Sequence, residues 1–302
     1  MDLTTVSVEE KLTHLKVFIK QMGPTLVAFS GGVDSSFLLA VAADVLHDQV
    51  VALMTLSPST PPEDVYQADF LTHSLNVRLL TIQHDELAIP AYAANPINRC
   101  YFCKNSLYDI CRREANRLTI RSIADGVNTD DLQDYRPGLR AAQEYDIIHP
   151  LVAVQFNKNE IRQGSRSLGL TTWDKPASPC LSSRVPYGTP ITAKMLEQIS
   201  QGESFLRSLG LRELRVRHHG GSARIEIRQE DLGKISSPGT IQIISENLKR
   251  LGFNSVMLDL AGYRSGVFNE GLKKNEQKAS SGFSFDFEQT TMMVEPSSKG
   301  VG

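Results

Sequence analysis

The sequence predicts an α/β protein in which a parallel sheet carries helices on both faces and a smaller α+β domain follows. Three observations lead there. Between Thr25 and about His149, short apolar runs alternate with helical stretches, the pattern of parallel strands joined by crossover helices. The first strand runs directly into a glycine-rich turn, Ser30-Gly31-Gly32-Val33-Asp34-Ser35, which opens a helix. After a proline-rich interruption the order changes to helix, two alternating strands, helix and strand. A chain of 302 residues also exceeds the roughly 250 at which a single core usually stops growing.

Apolar Val8, Leu12, Leu15, Val17 and Phe18 recur at helical spacing, so an amphipathic helix precedes the first strand. Strands are expected at Leu26–Phe29, Val50–Leu56, Val77–Ile82, Ile120–Ala124 and Ile147–Ile148. Helices are expected at Asp34–Leu46, Pro62–Leu75 and about Tyr101–Arg117. This first domain spans residues 1–170. Residues 171–190 contain four prolines and little periodicity, which reads as a functional loop or hinge. The second domain, 191–270, holds a helix (Ala193–Leu209), strands at Glu213–His219 and Ala223–Arg228, a helix (Ile241–Leu251) and a strand (Ser255–Leu260). Residues 271–302 are polar and unpatterned and are expected to be disordered.

Net charge is −2, so no global field draws the chain to nucleic acid or an anionic membrane. The first residues lack a signal peptide's basic start and apolar run. No apolar stretch approaches the roughly 18 residues a membrane span needs. A cytoplasmic enzyme is expected. In a reducing compartment its four cysteines read as metal ligands or reactive thiols rather than disulfides.

In the glycine turn, Gly31 and Gly32 allow close backbone approach and positive φ. The amides of the following helix start form an anion site, with the Ser30 and Ser35 hydroxyls as added donors. Neither Gly-Lys-Ser/Thr nor GxGxxG is present. Cys100 and Cys103 begin a helix, with Asn98 available as its cap, and share a face of it. A helix start favours thiolate. Cys180 lies in the proline-rich loop, free to fold back over the sheet. Cys111 would sit about 16 Å further along the helix and reads as core. Three thiols suit zinc with a fourth ligand, a [4Fe–4S] cluster with one open iron, or a Cys100–Cys103 redox pair. Alternation places Arg215 and Arg217 on one strand face and Glu226 on the neighbouring strand. Asp125, Asp130 and Asp131 cluster after a strand end, where a Mg²⁺ ligand would sit.

The turn resembles the SGGxDS signature of the N-type ATP pyrophosphatases, a pyrophosphate-loop fold of the adenine nucleotide alpha-hydrolase kind. That resemblance implies ATP cleavage between the α- and β-phosphates. It assigns Ser30, Gly31, Gly32, Asp34 and Ser35 to the leaving pyrophosphate and its Mg²⁺, with Ser36, Asp125 and Gly126 completing the nucleotide site. Further motifs make the chain similar, over about residues 10–270, to the LarE family of ATP-dependent sulfur transferases. They are Asp125-Gly126 with Asp134-Tyr135-Arg136-Pro137-Gly138, Ser182-Ser183-Arg184 with Pro186-Tyr187-Gly188, Arg215-Val216-Arg217, Arg224-Ile225-Glu226, and Leu258-Asp259-Leu260 with Gly262 and Arg264-Ser265-Gly266.

The family adenylates a carboxylate of a pyridinium biscarboxylate mononucleotide and replaces it with a thiocarboxylate, for the nickel-pincer cofactor of lactate racemase. One branch sacrifices a cysteine directly after an Ala-Ser pair. Here Ala177-Ser178 is followed by Pro179, and Cys180 comes one place later. The pattern matches the other branch, in which three cysteines hold a [4Fe–4S] cluster carrying sulfide. The resemblance then implies Cys100, Cys103 and Cys180 as cluster ligands and Arg184 at the adenylate or substrate. It implies Arg215 and Arg217 at the substrate phosphate, Glu226 and Asp131 as candidate Mg²⁺ ligands, and a hexamer. Rival readings are an iron–sulfur tRNA thiolase, an ATP-dependent amide synthetase and an ATP-binding regulatory module.

Overall fold

The computed structural model describes residues 6–132 and 136–264. Its first sheet is parallel, ordered β3-β2-β1-β4, with β1 Thr25–Ala28, β2 Val50–Leu56, β3 Arg78–Gln83 and β4 Ser122–Asp125. Alternate side chains of the two central strands serve opposite faces. Val27, Ala52 and Met54 join helices α1 (Val8–Met22), α2 (Val33–Leu46) and α3 (Pro62–Ser74) in one core. Leu26, Ala28, Val51 and Leu53 turn the other way, towards Tyr108, Ile110 and Cys111. Strands buried on both faces read as continuous apolar runs, which is why this sheet was legible.

Between β3 and β4 lie the short α4 (Pro90–Ala93) and the long α5 (Arg99–Arg117). After β4 come α6 (Gly138–Glu144), α7 (Pro150–Ala153) and α8 (Lys158–Ser167). The strand expected at Ile147–Ile148 is a single parallel bridge from Ile148 to Ala124. Helix α8 carries no apolar periodicity that would announce it: Ile161 is buried while most of its residues are polar. Its start is fixed by a capping box, Asn157 accepting from Glu160 N and Glu160 accepting from Asn157 N, a device that satisfies two end donors at once. Asn98 does not cap α5 with its side chain.

The second sheet is ordered β5-β6-β7. β5 (Leu214–His219) and β6 (Ser222–Ile227) pair antiparallel, and β7 (Ser255–Leu258) runs parallel to β6. Helices α9 (Ala193–Ser208) and α11 (Pro238–Arg250) bring Leu206 and Leu248 to a separate core with Val216 and Ile225, and the single turn α10 (Leu232–Ile235) adds Ile235. The expected pairing of two alternating strands is present in register, Arg215 opposite Glu226 and Arg217 opposite Arg224. Among the described residues no helix is long and apolar enough to cross a membrane. Asp134, Tyr135, Ser265, Gly266 and the expected tail 271–302 lie outside the described residues.

Glu203 of α9 fastens the proline-rich loop to this second core. Its carboxylate receives Arg184 at 2.8 and 2.9 Å, Arg207 at 3.0 Å and the backbone N–H of Val216 at 3.1 Å. Arg207 continues to Glu63 of α3 at 2.8 Å, so one chain of charges crosses between the two sheets. Arg184 and Glu203 have no exposed surface. Removing one member strands the other's charge in a dry interior, a loss of about 3–5 kcal/mol. Urea unfolding of Glu203→Ala should show a deficit of that order; a midpoint equal to wild type would make the pair a bystander.

Candidate active site

The loop after β1 is shaped by close approach. Gly31 has φ +68°, and a Cβ there would stand 2.8 Å from the Asp64 carbonyl oxygen, so both its conformation and its space exclude a side chain. A Cβ on Gly126, just past β4, would meet the Ser35 backbone nitrogen at 2.7 Å. That contact seats the β4 end against the start of α2. The Ser35 hydroxyl donates to Gly32 O at 3.2 Å and lies 3.1 Å from the Ser30 hydroxyl. No side chain caps α2 at Gly32, which leaves its first amides to an anion.

A cleft of about 670 Å³ opens over this loop. Ser30, Gly32, Asp34 and Asp131 form one wall, and Arg215 and Arg217 of β5 reach it from the second sheet. Arg215 is held by Ala177 O at 2.6 Å and stacks at 4.9 Å on the Tyr263 ring. Burial, with the nearby Arg184 charge, pushes its pKa down, the condition of a cation that gains from an arriving anion. Arg217 donates to Glu226 at 2.8 Å and to Ser183 O at 3.0 Å. Both residues are only 6% exposed, so the face is an enclosed one rather than a solvated strand surface.

Several expected residues stand elsewhere. Arg184 does not line the cleft; it is buried against Glu203 and donates to Cys180 O at 3.1 Å, so it positions the cysteine loop. Glu226 is also fully buried, with Oε1 shared by Arg217 and Arg224 at 2.8 and 2.7 Å, and it is not part of the cleft wall with Asp131. Ser36 points inward with no exposed surface. Asp125 is buried behind the loop, receiving Tyr108 at 2.6 Å and pairing with His149 at 2.7 Å. Burial works against its charge, but His149, Lys104 and Tyr108 together hold its carboxyl well below the usual range.

Two lysines absent from the sequence reading sit at the loop. Lys158 pairs with Asp34. Lys175 donates to Gly31 O and to Asp64, each at 2.8 Å, and the same Asp64 accepts Ser178 at 3.0 Å. Neither lysine belongs to a motif, so only the faint cue of a lysine beside Pro176 could have marked one. Asp34 Oδ1 is buried without a partner. With Asp131 on the same wall, this orphan acceptor fits a Mg²⁺ that takes one or two carboxylates and its remaining oxygens from phosphate and water.

Cys100, exposed on α5, and the half-buried Cys103 and Cys180 lie near enough for their charges to act on one another. Leu181 N donates to Ser59 O at 2.9 Å, Tyr92 meets the Ser182 hydroxyl at 2.6 Å, and Asn95 donates to Pro186 O at 2.8 Å. These bonds, with Arg99 on Ser182 O, fold the proline-rich loop back over α4 and the start of α5 rather than over the sheet. Cys103 donates to Glu86 at 2.9 Å; burial first, then the Glu86 charge and the other two cysteines, push its thiol up. Burial also raises Cys180, against an opposing pull from Arg99. The helix start therefore does not by itself deliver thiolate here. Cys111 is core, its thiol pushed up by burial to about 12. Among the described residues no three His, Cys, Asp or Glu side chains converge on a single metal ion.

The NAD synthase family model matches residues 8–95, which hold the glycine loop and the strands beside it. An uncharacterized protein of Synechocystis is 43% identical over 266 residues, 88% of this chain and 99% of the relative. The pyridinium-3,5-bisthiocarboxylic acid mononucleotide synthase of Lactiplantibacillus plantarum is 35% identical over 265 residues, 87% of this chain and 95% of the relative. This chain belongs to the LarE family. An uncharacterized protein of Methanocaldococcus jannaschii, 29% identical over 259 residues, covers 85% of the chain and 98% of its own length. As a LarE-family member with a pyrophosphate-loop fold, the chain is an ATP-dependent enzyme.

The Asp125 pair gives a signed pH test. Its folded pKa lies below the ordinary carboxylate value of about 4, so its stabilisation is complete above that pH and lost as pH falls further. Asp125→Asn should be less stable than wild type at pH 7, with the gap narrowing below about pH 4. Urea midpoints from pH 7 to 3 would show it, and a constant gap would contradict it.

Proposed function

We propose that this chain adenylates a carboxylate of pyridinium-3,5-biscarboxylic acid mononucleotide and converts it into a thiocarboxylate. The carrying observation is that one cleft holds the glycine loop on one wall and the Arg215–Arg217 pair on the other, with the cysteines beyond it. A nucleotide triphosphate and a phosphorylated substrate can therefore be held at once. The substrate carboxylate oxygen attacks the α-phosphorus and pyrophosphate leaves. Charge that develops on the leaving group meets the α2 amides and Lys158; Asp34 and Asp131 would hold a Mg²⁺ that adds positive charge there. Hydrosulfide then displaces AMP from the acyl carbon, releasing a proton and leaving the thiocarboxylate.

Cys100, Cys103 and Cys180 would hold a [4Fe–4S] cluster, which supplies an iron site for sulfide when bound. The protein's own residues do the rest. Arg215 and Arg217 orient the mononucleotide phosphate through their donor forks. Glu226 keeps Arg217 aimed at the cleft, and Glu203 with Arg184 fixes the backbone that carries Cys180.

Asp34→Ala should abolish pyrophosphate release, since the loop loses its metal-facing oxygen; near-normal release would remove the nucleotide site from the glycine loop. Arg215→Ala should weaken mononucleotide binding roughly tenfold or more, the worth of a charged hydrogen bond, while ATP affinity holds in calorimetry. Anaerobic reaction with ATP, sulfide and the mononucleotide should exceed one turnover per chain with every cysteine intact by mass spectrometry. A single turnover with Cys180 lighter by one H₂S would show that the cysteine is consumed.

A further inference from the structure

Tyr187 meets the cleft on a rigid support. One fully buried side chain, Asn95, pins the backbone on both sides of it. Asn95 Nδ2 donates to Pro186 O at 2.8 Å and to Thr189 O at 3.0 Å, while Gly188 N donates to Asn95 O at 2.8 Å. The turn depends on Gly188, whose φ of +79° disfavours any side chain. Tyr187 itself is half-buried and forms part of the cleft wall together with Pro179 and Val185. Arg99, which opens the helix that carries Cys100, lies over the Tyr187 ring with Cζ 5.7 Å from the centroid. Tyr187 therefore stands at the cysteine end of the cleft.

The mononucleotide's pyridinium ring carries a permanent positive charge, and its quaternary nitrogen has no proton to donate. Such a cation is held by a carboxylate or by an aromatic face. Among the described residues the cleft's carboxylates are Asp34, Asp130 and Asp131. All three are engaged beside the glycine loop: Asp34 by Lys158, Asp131 by Arg136 at 2.6 Å, and Asp130 by the Lys158 backbone N–H at 3.0 Å. The other charged groups of the described wall, Lys175 and Arg215 among them, are cations that repel the ring nitrogen. An aromatic face is what is left.

Among the described residues the wall offers two such rings, Tyr187 and Tyr263. Tyr263 is committed to the phosphate end, where Arg215 stacks on its ring at 4.9 Å and donates to its hydroxyl at 3.3 Å. A mononucleotide whose phosphate rests on Arg215 and Arg217 must extend its ring away from that point, towards the place where sulfur reaches the acyl carbon. That direction leads to Tyr187. Because the turn that carries it is already fixed, stacking there costs little ordering.

We propose that Tyr187 receives the pyridinium ring and makes the site specific for a positively charged heterocycle. This rests on the sulfur-transfer reading, and the test separates the two. The probes are pyridinium-3,5-biscarboxylic acid mononucleotide and an uncharged-ring isostere, a phenyl C-riboside phosphate with the same two carboxylates. Calorimetry on the full chain gives the ratio of the two affinities, which a general loosening of the cleft leaves in place. Tyr187→Phe should keep the wild-type ratio, and Tyr187→Leu should shift it roughly fivefold against the pyridinium compound, the size of one cation–π contact. Phenylalanine bearing successive fluorines at position 187 keeps the ring's shape while making its face less negative, and should lower the ratio stepwise. A ratio unmoved in Tyr187→Leu and across the fluorinated series would overturn the proposal. A ratio that shifts in a protein forming no thiocarboxylate would retire the sulfur-transfer reading and leave a pyridinium site. Thiocarboxylate formation with an unmoved ratio would do the opposite, and binding of neither compound would overturn both.

Discussion

A single buried carboxylate, Asp64 at the start of α3, holds the glycine loop and the cysteine loop together. One of its oxygens takes Lys175 at 2.8 Å and the other takes Ser178 at 3.0 Å. Lys175 reaches on to Gly31 O, while the absent side chain of Gly31 is what lets α3 come this close. A half-satisfied buried charge is costly, so the geometry is favourable only when all partners are present. The proline-rich loop is therefore a fixed wall of the cleft, two residues before Cys180, and not a slack connection. Apart from a 3-10 turn at Leu181–Arg184 it has no regular element, and its order comes from contacts with residues up to 144 positions away.

Electrostatics explain why a chain of net charge −2 can serve anionic substrates. The charge is not spread evenly. Arg99, Lys158, Lys175, Arg215 and Arg217 border one cleft, and low-dielectric walls focus their field there. Carboxylates near them fall into two groups. Glu203 and Glu226 are buried partners that aim guanidiniums, whereas Asp34 and Asp131 face the cleft, where a phosphate-bound cation would sit. Total charge excluded a general attraction to nucleic acid; it said nothing about this local field.

The thiols follow a different logic. Burial first pushes Cys103 and Cys180 away from ionisation, Glu86 and Cys180 adding to the effect on Cys103 and Cys100 and Glu86 to that on Cys180, and Cys103 donates its S–H to Glu86. Glu86 is itself held by Ser59 at 2.5 Å and Ser57 at 3.1 Å. A cluster of mutually repelling thiolates is stable only with positive charge in its midst. Arg99, whose charge opposes the upward push on Cys180, supplies part of that charge.

The sequence by itself determined the parallel sheet, the glycine loop and the pairing of β5 with β6. These features depend on local period, on two glycines and on nearest-neighbour alternation, all of which are written in consecutive residues. It also placed Cys111 in the core, because helical rise separates it from Cys100 whatever the fold. Polar α8 is not legible in the pattern because its buried face is Ile161 with Gly164 and Ser165, and its start is set by a capping box. The division of labour among charged residues was decided only by tertiary structure. Arg184 and Arg217 look alike in sequence, yet Glu203 withdraws one into the interior and Glu226 aims the other at the cleft. Lys158, Lys175, Glu86 and Arg99 carry no motif at all. Their roles arise from which distant partner each side chain meets, and burial multiplies the consequence of every such meeting by removing the water that would otherwise screen it.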